Sequence, residues 1–78
     1  MEECTYEYFM SELSEFWKMM GSKKYWALDD NGTPISRALK GLVFLYSRLS
    51  KEDVDKIGNL WNAALINYDM VSSKVGVV

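Results

Sequence analysis

Apolar side chains recur along three stretches of this chain at the spacing of one face of an α-helix. Tyr6, Phe9, Met10, Leu13, Phe16, Trp17 and Met20 follow i, i+3, i+4 and i+7 steps, while Glu7, Ser11, Ser14 and Glu15 take the opposite side. This predicts a first helix over about residues 5–20, with Thr5 as N-cap and Gly21 in the left-handed position that ends many helices. Glu7 near its start and Lys18 near its end suit the helix dipole. Asn31-Gly32 marks a turn, and Thr33-Pro34 reads as an N-cap followed by a first helical residue. A second helix then runs over 34–49, with Ile35, Leu39, Leu42, Val43 and Tyr46 facing the core and Ala38 and Leu49 at its edge. Ser50 caps a third helix over 51–72, with Asp53 where a capping box usually has Glu. Its stripe is Val54, Ile57, Leu60, Trp61, Ala64, Leu65 and Tyr68. The expected fold is all-α, a compact three-helix domain spanning residues 1–78.

Residues 22–33 form the connector. Tyr25, Trp26 and Leu28 are too apolar for a free loop and are expected to fold over the helical core. A lone strand there would leave backbone groups unpaired unless a second chain supplied a partner. The end of the chain, Val75-Gly76-Val77-Val78, is expected to fray.

Composition supports a folded domain. Apolar residues are 49% and aromatics 14% of 78 residues, enough for a core and against disorder. A chain this short buries only about 60% of the surface its unfolded form exposes, so stability should be modest. The single cysteine, Cys4, has no internal partner for a disulfide. The start, Met1-Glu2-Glu3, has no apolar run behind it, and the longest apolar run, Leu42 to Tyr46, is far below the roughly 20 residues of a membrane span. A reducing, cytoplasmic setting without membrane contact is expected.

Net charge is −2, too small to mark a nucleic-acid binder by itself, but the charge is segregated along the chain. Residues 1–17 carry −5, residues 18–51 carry +5, and residues 52–78 carry −2.

Candidate chemistry is sparse. The chain has no histidine, which removes Ser–His and Cys–His pairs and most zinc sites. Its five glycines are isolated and form no phosphate loop. Residues Ala27 to Ala38 could be laid on a calcium loop, but alanines stand where a carboxylate and the bidentate Glu belong. Glu12 and Glu15 lie one turn apart and read as a solvated acidic face, and Cys4 beside Glu2 and Glu3 reads as an inert thiol. No catalysis, metal or cofactor is expected.

One surface stands out. At 100° per residue, Arg37, Lys40, Phe44, Arg48 and Lys51 group opposite the core stripe of the second helix. A phenylalanine among four cations either packs under Tyr25 or Trp26 or is an apolar anchor in a positive rim, aimed at an acidic protein surface or at nucleic acid. A second face, Ala63, Ile66 and Met70, lies off the main stripe of the third helix and could bury against a second copy, giving a homodimer.

The expected function is therefore a non-catalytic protein-binding module, an inhibitor or adaptor. In size and in missing chemistry the chain resembles small phage-encoded accessory proteins, including inhibitors of bacterial defence complexes, though no shared motif carries that likeness. Nucleic-acid binding comes second. The second and third helices, joined tightly at Leu49-Ser50, resemble a helix-turn-helix unit, but Glu52, Asp53 and Asp55 would put three carboxylates against the duplex. Binding of nucleic acid would have to use Arg37, Lys40, Phe44 and Arg48 instead, with strong salt dependence. A small structural subunit of a larger assembly is the third reading.

Overall fold

Helix α1 (Tyr6–Met20) begins where Thr5, in extended backbone, accepts the Tyr8 N–H on its hydroxyl at 3.1 Å. Its end differs from expectation. Gly21 sits at φ −86° and not in the left-handed region. The helix tightens instead, as the Gly21 and Ser22 N–H groups bond back to the Lys18 and Met19 carbonyls. The next carbonyl, that of Met20, accepts the indole Nε1–H of buried Trp26 at 3.1 Å. A side chain of the connector thus caps the first helix, and no glycine conformation is needed.

The computed structural model describes residues 5–75, so Cys4 and the expected fraying of Gly76 to Val78 lie outside the described residues. Val75, the first residue of that expected end, closes the last helix. The connector forms a single 3₁₀ turn, Lys23–Trp26, followed by a tight turn in which Asp29 and Gly32 exchange backbone hydrogen bonds of 2.7 and 3.2 Å. Gly32 takes φ +96°, which is why glycine follows Asn31 there. Of the three connector apolars, Trp26 is buried and Tyr25 half-buried, whereas Leu28 is 78% exposed and does not cover the core.

Helix α2 (Pro34–Ser47) has buried Thr33 as N-cap and Pro34 in its first turn, as the sequence predicts. It stops two residues short of the predicted end, Arg48 being its C-cap. The third predicted helix is two. Ser50 caps α3 (Lys51–Ile57), Gly58 breaks it, and α4 (Leu60–Val75) follows. Gly58 has φ +56° and ψ −126°, the first-corner geometry of a type II′ turn, which side chains with a Cβ avoid. Four α-helices therefore stand among the described residues, not three.

Aromatic rings tie the helices together. Phe9 packs against Tyr46 of α2 and edge-on to Trp61 of α4, whose ring is stacked on Tyr46 at 5.1 Å. One helical stretch on, Phe16 stacks with Tyr68, and Tyr68 with Trp26 at 5.3 Å. Since Phe9 meets Trp61 and Phe16 meets Tyr68, α4 climbs in the same sense as α1. Leu13, Met20, Ile35, Leu42, Ile57 and Ala64 fill the remaining buried positions. The Cα envelope is 17 Å across its shortest axis, two layers of helix.

Two layers cover only part of each helix, and this corrects three core assignments. Trp17 (40% exposed), Val43 (51%) and Leu60 (49%) carry the right helical phase but sit at the margins of their stripes, where no third layer reaches them. Among the described residues no helix is long and apolar enough to cross a membrane.

Candidate protein-binding face

The outward side of α2 is built on a helix whose opposite side is pinned by Ile35 and Leu42, both buried. Phe44 therefore cannot turn inward. It is 52% exposed, and the guanidinium of Arg48, one turn on, lies over its ring at 5.8 Å from the centroid. The connector does not cover it: Trp26 stacks on Tyr68, Tyr25 carries Lys24 over its ring, and half of Phe44 stays exposed. Of the two readings of Phe44, the packing one under Tyr25 or Trp26 is not what the structure shows. Exposed Val43 adjoins it, extending the apolar centre of the face.

The cations divide. Arg37 donates two hydrogen bonds of 3.0 Å, Nη1 to Oδ1 and Nη2 to Oδ2 of Asp29, a bidentate pair that fastens the connector turn to the start of α2. Asp29 also accepts the Asn31 N–H on Oδ1. The Arg37 fork, and then the Asn31 N–H, hold this carboxyl below its usual range, and the hydrogen bonds to Asp29 in turn raise Arg37. Lys40 is exposed beside Gly41 on the same helix. Lys51 opens α3 instead of continuing α2, so the wheel that groups it with Arg48 fails at the Arg48–Ser50 corner. The face is thus Lys40, Val43, Phe44 and Arg48, with Arg37 at its end already engaged.

Beside this face runs a groove of about 350 Å³ between α1 and α2. Tyr8, Glu12, Glu15, Phe16 and Met19 form its α1 wall, and Ala38, Gly41, Leu42, Phe44 and Leu45 its α2 wall. Glu12 and Glu15, a solvated pair in the sequence, are exposed here, and Glu15 pairs with Lys18 at 3.2 Å. Gly41 has no atom within 4 Å of where a Cβ would stand. An exposed glycine inside a helix costs roughly 0.5–1 kcal/mol relative to alanine, and the fold does not need this one. Its absent side chain keeps the groove open beside Phe44, a feature sequence reading missed because Gly41 looks like any isolated helical glycine.

The second predicted surface also lies outward. Ile66 is 60% and Met70 56% exposed, and Ala63, one turn before Ile66, is exposed as well. Among the described residues, no three His, Cys, Asp or Glu side chains converge as metal ligands. No protein-family model matches this chain, and neither a curated protein nor a solved structure does.

Proposed function

We propose that this chain is a non-catalytic protein-binding module, an inhibitor or adaptor, that docks the outward face of α2 on an acidic surface of its partner. The observation that carries this reading is Phe44, a half-exposed aromatic ring at the centre of a helix face with Arg48 over it and Lys40 one turn before it. A ring rimmed by cations is the composition of an interface anchor, with the apolar centre supplying affinity and the charges orientation and on-rate. The open groove at Gly41 gives a partner side chain a place to enter beside the ring. Cytoplasmic action, without a cofactor, belongs to the same proposal.

Nucleic acid is the weaker reading. Exposed aromatics among cations also stack bases, but Glu12 and Glu15 stand across the groove from Phe44, and the α3 start carries Glu52 and Asp53. A phosphate backbone, charged at every nucleotide, meets these carboxylates on both sides, whereas an acidic protein surface need set its charges only against Lys40 and Arg48.

A photo-crosslinking residue placed at Phe44 in the full chain, with one at Leu28 as the exposed control, tests the reading in a nuclease-treated lysate. A protein adduct formed at 44 and not at 28 is expected. Adducts that form only with nucleic acid present, or equally at both positions, would overturn it.

A further inference from the structure

We infer that the outer face of α4 is a self-association surface on which a second copy of this chain docks across a two-fold axis. From Ile57 to Tyr68 the chain carries no charged residue. On the inner side Trp61 and Ala64 are buried, but on the outer side Ile66 and Met70 are more than half exposed, Ala63 is exposed one turn before Ile66, and Leu60, 49% exposed, lies at the margin toward α1. Exposed apolar side chains grouped on one helix face mark an interaction surface, and the core of this protein covers only the inner face of α4. The patch continues onto α1, where Leu60 shares a shallow cleft of about 290 Å³ with Met10, Leu13, Ser14 and Trp17.

Charge selects the occupant. In a two-fold contact each residue meets the same surface on the other copy, so a cluster of one sign meets itself. The outward side of α1 carries Glu7, Glu12 and Glu15 with only Lys18 against them, and that of α2 carries Lys40 and Arg48. Neither can face its own copy without juxtaposing like charges. The outer face of α4 can, because its exposed amides Asn59 and Asn62 both donate and accept, and its two exposed charges, Asp69 and Lys74, are of opposite sign. Ala63 lets two helix backbones approach closely in the middle of the contact.

The area sets the strength. Sixteen residues of α4 span about 24 Å, so two such helices with their α1 flanks bury on the order of 1,000 Å² in total, the lower limit for a specific interface. The dimer is therefore weak, assembling in the micromolar range and above.

Sedimentation equilibrium of the full chain from micromolar to millimolar concentration tests this. The expected result is a concentration-dependent monomer–dimer equilibrium that Ile66→Asp abolishes and Phe44→Asp leaves unchanged, each variant keeping its helical circular dichroism. Because Ile66 is 60% exposed, its substitution does not touch the core. Mixing Ile66→Asp with Ile66→Lys should restore a dimer that neither forms alone. A monomer throughout the range, or a dimer that survives both Ile66→Asp and Met70→Asp, would overturn the inference without bearing on the α2 face.

Discussion

Trp26→Phe isolates the device that joins the connector to the core. Trp26 is 5% exposed, donates its indole N–H to the Met20 carbonyl at 3.1 Å, and stacks on Tyr68. Phenylalanine keeps a ring for Tyr68 but removes the donor, leaving a buried helix-end carbonyl unpaired, which costs about 1–3 kcal/mol. The smaller ring adds a partial cavity, bringing the loss to about 2–4 kcal/mol. For 78 residues the unfolding entropy is roughly 0.16 kcal/mol/K, so Tm should fall by about 12–24 °C. A domain of this size holds about 4–12 kcal/mol in all, so this one atom group carries a sizeable share. Thermal and urea unfolding followed by far-UV circular dichroism reads the effect. Trp17→Phe is the matched control, because Trp17 shares the helical phase of the core but is 40% exposed, and it should stay within about 0.5 kcal/mol of the parent. Equal losses for the two variants, or a Trp26→Phe cost below about 1 kcal/mol, would refute the capping argument.

Three further outcomes are expected. Gly58→Ala forces a Cβ into φ +56°, ψ −126° and should destabilise by about 1–3 kcal/mol in the same melts; an unchanged Tm would mean that α3 and α4 fuse without strain. Gly41→Ala should do the reverse, raising stability by about 0.5–1 kcal/mol with open space for its methyl, while weakening partner binding by narrowing the groove; a loss of stability would contradict the open-groove geometry. Asp29 should titrate below its ordinary value of 3.8 by carboxyl NMR and return toward it in Arg37→Gln. Because its folded pKa is lowered, the pair's contribution is present above the ordinary value and lost as pH falls through the depressed one; a midpoint at or above 3.8 would show the bidentate pair is not formed in solution.

Much of this fold is legible in the chain because local signals agree with one another. Thr5, Thr33-Pro34 and Ser50 each place a cap beside an apolar period, and all three helices start where those caps predict. The break at Gly58 was not legible for a specific reason. Ile57, Trp61, Ala64 and Tyr68 keep their 4-3-4 spacing across it, so the kink leaves the phase of the stripe intact, and only the backbone angle of Gly58 reveals it. Trp17, Val43 and Leu60 were misplaced because periodicity gives direction around a helix but not how wide an arc the neighbours cover. The same limit applied to Phe44. Its position opposite the core stripe could be read from spacing, but whether Tyr25 or Trp26 shielded it depended on the Trp26–Met20 bond, a contact between elements that no local pattern encodes. Lys51 shares the wheel of α2 only if that helix continues past its corner at Arg48, and no local pattern before Ser50 marks that corner.

The central claim is that Phe44 anchors a protein partner, and affinity capture with the full chain as bait in nuclease-treated lysate tests it most directly, run beside Phe44→Asp and, at the 78% exposed connector residue, Leu28→Asp. The account predicts a protein that the parent and Leu28→Asp retain and Phe44→Asp loses, the loss of an interface anchor being worth about 2 kcal/mol or more, roughly 30-fold in affinity. If folded Phe44→Asp kept every partner of the parent, or if every partner disappeared with nuclease, the α2 face would not be the binding site proposed for it.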